Sequence, residues 1–117
     1  GLKEVETVMK SEALLICNEK LSPEKETLLE QLCFRFEAVN RAKEHKYILL
    51  NAPNSSIEAI ASILPGMKSP TVLPLAEEGW SSLHSVVPED KFWNVIDQLK
   101  ELGAQGILVS SIEKLVL

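Results

Sequence analysis

Few residues in this chain are of types that carry chemistry, and their spacing keeps most of them apart. His45 stands beside Lys46, where a helix is expected to end. A cation there is favourable to the helix dipole, so a surface cap is preferred over a catalytic role. His84 falls in mid-strand, where a general base would need an oriented partner that the sequence does not name. Glu77-Glu78 is an acidic pair in a turn. Paired carboxylates can do acid/base work or hold Mg²⁺, but adjacent turn residues usually point apart, which favours a solvated tip. Trp80 and Trp93 could stack on bases; a Trp opening a strand more often packs at a domain or subunit boundary, and Trp93, beside Phe92 and just off a helix stripe, suits contact with a neighbouring subunit. Cys17 and Cys33 are not in a CxxC pair and have no His at metal-ligand spacing, which reads as two reduced, buried thiols. No Ser/His/Asp order, HExxH pair or phosphate-binding Walker loop is present.

One cluster resists a purely structural reading. Pro65-Gly66-Met67-Lys68-Ser69-Pro70-Thr71 packs two prolines and a glycine into a connection between a helix and a strand, and Pro74-Leu75-Ala76 makes a second turn soon after. A rigid connection of this kind exposes backbone N–H groups near strand ends, where ligands in α/β architectures often sit.

The elements that must position these residues follow from the apolar pattern. Ala13-Leu14-Leu15-Ile16-Cys17 is a short apolar run suited to a strand buried on both faces, with no hairpin partner nearby. Residues 1–21 are therefore expected to pair between copies or to be mobile, their strand partners lying outside this sequence. Ser22-Pro23-Glu24 opens a helix with a good N-cap, a Pro at the first helical position and a helpful acid. Leu28, Leu32, Phe36 and Val39 give it one apolar stripe as far as Lys43 or Glu44. Tyr47-Ile48-Leu49-Leu50 is a strand, and Ser55-x-x-Glu58 reads as a capping box for a helix carrying Ile57, Ile60, Ala61 and Leu64, ended by Pro65-Gly66. Thr71–Leu73 and Trp80–Val87 are the next strands, the second with room for a bulge. Pro88-Glu89-Asp90 starts a helix with the stripe Phe92, Val95, Ile96, Leu99, closed by Gly103. Gly106–Val109 is the last strand.

From residue 46 the order is β-α-β-β-α-β. The fold class is α+β: a ferredoxin-like (ACT-like) βαββαβ sandwich preceded by a helix and an N-terminal strand segment. The expected divisions are 1–21, 22–45 as a linker helix, and 46–117 as the ferredoxin-like domain.

Composition bounds the partners. With 45 % apolar and 25 % charged residues the chain is ordinary globular material. Twelve Lys+Arg against 17 Asp+Glu give a net charge of −5 without a basic run, which disfavours nucleic acid. No stretch approaches the ~20 apolar residues of a membrane span, and no signal peptide opens the chain. No membrane partner and a cytoplasmic location are expected. The start at Gly1, without an initiator Met, reads as a fragment or a processed product.

Several motifs together resemble a known family. Lys46-Tyr47-Ile48, Ala52-Pro53, Leu64–Val72 with its Pro65-Gly66-Met67-Lys68-Ser69-Pro70 core, Pro74-Leu75-Ala76, Gly79-Trp80, His84-Ser85-Val86-Val87, Leu102-Gly103-Ala104, Gly106–Val109 and Ile112-Glu113-Lys114 are similar to the C-terminal regulatory domain of long-form ATP phosphoribosyltransferases. The resemblance is dense over 46–117 and looser before, with residues 1–21 similar to the end of that family's catalytic region. It implies that the parent enzyme, a glycosyltransferase using Mg²⁺, joins ATP to phosphoribosyl pyrophosphate in the first step of histidine biosynthesis. The phosphoribosyl-binding loop has no counterpart here, so this chain is expected to have no catalytic residue, no metal site and no cofactor. Its implied role is feedback inhibition: L-histidine as allosteric ligand in a homo-oligomer, dimer or hexamer. The resemblance carries ligand contacts onto Asn51, which would face the imidazole, onto Thr71 with its hydroxyl, and onto Met67, Val86 and Gly106 as pocket lining. The alternative is a purely structural oligomerisation domain; convergence of Asn51 and Thr71 on one pocket would favour the sensor.

Overall fold

A computed structural model describes residues 1–64 and 66–117. Its elements are α1 (Pro23–Lys43), β1 (His45–Pro53), a 3₁₀ turn (Asn54–Ser56), α2 (Ile57–Ile63), β2 (Thr71–Pro74), β3 (Trp80–Pro88), α3 (Glu89–Glu101) and β4 (Gln105–Ser111). The four strands form one antiparallel sheet in the order β2-β3-β1-β4. The two crossing helices then lie on one face, as the ferredoxin-like order requires.

Alternation along β1 and β3 decides which face is core. Ile48, Leu50 and Ala52 on β1 are fully buried, and so are Leu83 and Val87 on β3. They meet Ile60 and Leu64 from the α2 end, Phe92 and Leu99 from α3, and Ala104. Full burial of one such aliphatic side chain contributes about 1.5–3 kcal/mol, so this cluster holds the domain together. The opposite face carries Tyr47, Leu49 and Asn51 from β1 against Val86, His84 and Ser82 from β3, with Thr71 and Leu73 beyond them on β2.

Local signals hold at several joints. Ser22 takes an extended conformation before α1, and Pro23 occupies the first turn. The His45 ring donates from Nδ1 to the Arg41 carbonyl at 2.8 Å, capping the end of α1. Gly103, at φ +87°, closes α3: its N–H donates to the Lys100 carbonyl and that of Ala104 to the Leu99 carbonyl, the paired bonds of a Schellman turn. Glu77 and Glu78 are exposed at the β2–β3 turn, with Gly79 at φ +83°.

Six expectations need correction or a limit. No strand forms over 13–17, and residues 1–20 are exposed and lie outside the sheet. The α1 stripe is not core: Leu28, Leu32 and Phe36 are 65, 39 and 50 % exposed, while Ala38 and Ala42 are buried. Only the last turns of α1 meet the domain, against β1 and the Leu115 N–H, which donates to the Ala38 carbonyl. The radius of gyration is accordingly 20.5 Å, where a compact domain of this length has about 13 Å. The capping box does not form, because Ser55 sits inside the 3₁₀ turn and Ser56 precedes α2 without a side-chain cap. The β1–β3 register runs unbroken from His45↔Pro88 to Pro53↔Trp80, so β3 has no bulge; the irregularity lies between Leu49 and Asn51 against β4. Buried Ser81 and Ser85 occupy core-side positions of β3 and hide its alternation from a hydropathy reading. The Pro65 stop after α2 lies outside the described residues. The thiols also differ from expectation, Cys17 being exposed and Cys33 half-buried.

Candidate functional site

The helix-free face of the sheet collects the polar groups. Thr71 on β2 lies directly across from His84 on β3, and Tyr47 on β1 across from Val86. Side chains on one face of neighbouring strands stand close enough to interact, so the register alone gathers these four. The connection preceding β2 folds over them, and a cavity of about 330 Å³ opens between Tyr47, Met67, Lys68, Ser69, Thr71, His84, Ser85 and Val86. That volume is at the small end of ligand pockets. The approach of the loop to β3 is close at Gly66, where an added Cβ would stand 2.5 Å from Ser85 Oγ.

Three of the five expected ligand residues, Met67, Thr71 and Val86, thus line one cavity. Asn51 and Gly106 do not line it. They lie near each other instead: a Cβ added at Gly106 would stand 3.7 Å from Asn51 Nδ2, and Gly106 holds φ +57°. Asn51 is on the same face, opposite Ser82 and two residues from the Leu49–His84 pair. Strand spacing sets Asn51 and Thr71 about 12 Å apart across the face. A small ligand with a hydrogen bond of about 3 Å at each end covers such a span.

The floor between them is a hydrogen-bonded chain that the sequence did not reveal. Tyr47 Oη and His84 Nδ1 are 2.6 Å apart, His84 Nε2 and Ser82 Oγ 3.1 Å, and Ser82 Oγ is 3.4 Å from the Leu50 carbonyl. The Tyr47 and His84 rings meet edge-on, with centroids 5.8 Å apart and planes at 83°. The one available signal was Ser82 and His84 at strand spacing i, i+2; their link to Tyr47 exists only through the β1–β3 register.

Other places carry less. A larger hollow of about 600 Å³ lies between Glu44-His45 and Pro88–Lys91. Its walls are element ends, and none of the expected ligand residues reaches it. Among the described residues no three His, Cys, Asp or Glu stand together to hold a metal ion. No helix of the described residues is long and apolar enough to cross a membrane.

Comparison with known proteins agrees with this architecture. Residues 42–114 match the family described as "HisG, C-terminal domain". A protein named ATP phosphoribosyltransferase from Phocaeicola vulgatus is 60 % identical over 117 residues, which are 100 % of this chain and 41 % of that protein. Its namesake from Bacteroides thetaiotaomicron is 58 % identical over 115 residues, 98 % of this chain and 41 % of its own length. The namesake from Cytophaga hutchinsonii is 56 % identical over 116 residues. The chain therefore spans 41 % of the length of these relatives.

Proposed function

The chain belongs to the HisG C-terminal domain family, and from that premise we propose that it is the L-histidine-sensing regulatory end of an ATP phosphoribosyltransferase. In this reading the parent protein, in the cytoplasm, joins ATP to phosphoribosyl pyrophosphate with Mg²⁺ in its catalytic lobes. Residues 1–21 are the tail of that catalytic region, and 22–45 the helix linking it to the regulatory domain. Histidine binds the open sheet face, favours a compact homo-oligomer and so inhibits the first step of its own biosynthesis.

The observation that carries the proposal is the cavity at Met67, Thr71 and Val86. A buried amino acid needs a partner for its ammonium, its carboxylate and its ring. Thr71 offers a hydroxyl, Lys68 a cation for the carboxylate, and Asn51, farther along the same face, an amide for a neutral imidazole. Met67 and Val86 supply apolar wall, and Gly106 leaves Asn51 room at its side.

Calorimetric titration of the chain with L-histidine, with D-histidine as control, tests the reading. Saturable heat with L-histidine and none with D-histidine is expected. Absence of binding, or equal binding of both, overturns it.

A further inference from the structure

We infer that the tail after β4, residues 112–117, is a strap: through the Leu115–Ala38 backbone bond it ties α1 to the sheet and fixes the direction in which α1 leaves the domain. The inference rests on the regulatory reading given above and adds the part that passes the domain's state to the helix.

α1 and β1 are joined by a single residue. The helix ends at Lys43 and the strand begins at His45, which leaves Glu44 between them at φ −83° and ψ −4°. Bonds at that joint hold the helix as a pivot: the Glu89 N–H donates to the Glu44 carbonyl at 3.0 Å, and the His45 ring caps the Arg41 carbonyl. A direction needs a second attachment away from the pivot. The Leu115 N–H supplies it, donating to the Ala38 carbonyl at 2.9 Å. At about 1.5 Å per residue, Ala38 stands about 9 Å along the helix axis from Glu44. Among the described residues no other hydrogen bond from the sheet domain reaches α1 short of its last turn.

The helix suits the strap at that point. A carbonyl has a second lone pair beyond its intrahelical bond, so Ala38 can accept from the tail without breaking the helix. A neighbouring backbone reaches such a carbonyl from the side only past small side chains. Ala38 and Ala42 lie one turn apart on one face and are 5 and 1 % exposed. The root of the strap is fixed as well. Lys46 Nζ is 3.4 Å from Ser111 Oγ at the end of β4 and 3.4 Å from Glu89 Oε2 beside the pivot. Beyond that root Ile112 and Leu115 are half-buried, while Glu113, Lys114, Val116 and Leu117 are exposed. β4 itself starts at Gln105, paired with Asn51, and ends at Ser111, paired with Lys46. A shift of that strand therefore pulls on the strap, and the strap turns α1 about Glu44.

Two measurements decide the matter. The first is amide hydrogen exchange of this chain followed by NMR. The Leu115 N–H should exchange roughly tenfold more slowly than those of Val116 and Leu117. Equal rates overturn the strap. The second uses the full-length protein. Leu115→Pro removes the N–H, and Leu115→Ala keeps it while shortening the side chain. In Leu115→Pro, turnover remaining at saturating L-histidine should rise roughly twofold to tenfold, the worth of one neutral hydrogen bond. Turnover without histidine, and L-histidine affinity by calorimetry, should stay nearly unchanged, because Leu115 lines no part of the cavity. Leu115→Ala should behave as the unsubstituted protein. Ala38→Leu, which crowds the same bond from the helix side, should give a rise of the same order; if it does not fold, the two Leu115 variants decide alone. Unchanged inhibition in Leu115→Pro, or an equal rise in Leu115→Ala, refutes the strap and leaves histidine sensing intact. If the unsubstituted full-length protein is not inhibited by L-histidine, the regulatory reading itself fails, and the strap's role in coupling falls with it.

Discussion

Replacing Thr71 with Ala separates a ligand contact from a structural one. Thr71 is exposed on the four-residue edge strand β2, and its backbone ladder with His84 survives the change. Its side chain lines the cavity and takes no place in the core cluster. The stability change should therefore stay below about 1 kcal/mol, which moves the melting temperature by a few degrees. Binding should respond more strongly. A neutral hydrogen bond is worth about 0.5–1.5 kcal/mol, and more where the ligand group is left without a partner. Because 1.4 kcal/mol is tenfold, the dissociation constant for L-histidine should rise roughly threefold to thirtyfold. Thr71→Ser keeps the hydroxyl and should restore most of the affinity. Calorimetric titration and thermal melts on the same three proteins give both quantities. An unchanged affinity in Thr71→Ala, or a loss as large in Thr71→Ser, refutes the assignment of the hydroxyl to the ligand. Reciprocal coupling adds a check in the full-length protein, where histidine should lose its effect on substrate affinity in proportion.

Three further substitutions test the architecture. Leu50→Ala, at a fully buried position of the central strand, should cost about 2–5 kcal/mol in urea denaturation; less than 1 kcal/mol would mean that the core is placed wrongly. Leu28→Ser on α1, where Leu28 is 65 % exposed, should change stability by under about 0.5 kcal/mol, and a loss of core size would show that the stripe is buried after all. Gly106→Ala should cost about 1–2 kcal/mol through its positive φ alone, since its new Cβ would meet Asn51 at ordinary contact distance. Gly106→Asn should recover part of that in thermal melts, because Asn tolerates the left-handed region.

The order of elements from residue 46 onward could be read from the chain because each signal is local. The helix start at Pro23, the Phe92–Leu99 stripe and the Gly103 stop each act within one or two turns of backbone and each occurs where expected, although Ser22 stands at the N-cap of α1 without a side-chain bond. The motifs between Leu64 and Val109 likewise pointed to the family that the comparisons show. The α1 stripe misled because helical periodicity marks an apolar face without saying what covers it; the buried positions of α1 are instead the small residues Ala38 and Ala42. The run 13–17 forms no strand and stays outside the sheet, so its pairing is not decided within this chain. The site divides in the same way. Thr71, Met67 and Val86 were legible through a motif, but their meeting at one cavity, and the separation of Asn51 toward Gly106, depend on strand register. Tyr47 and His84 are 37 positions apart, and nothing local in either segment announces a bond between them. Local propensity therefore wrote the elements, while long-range pairing chose which face each side chain took and so which polar groups met.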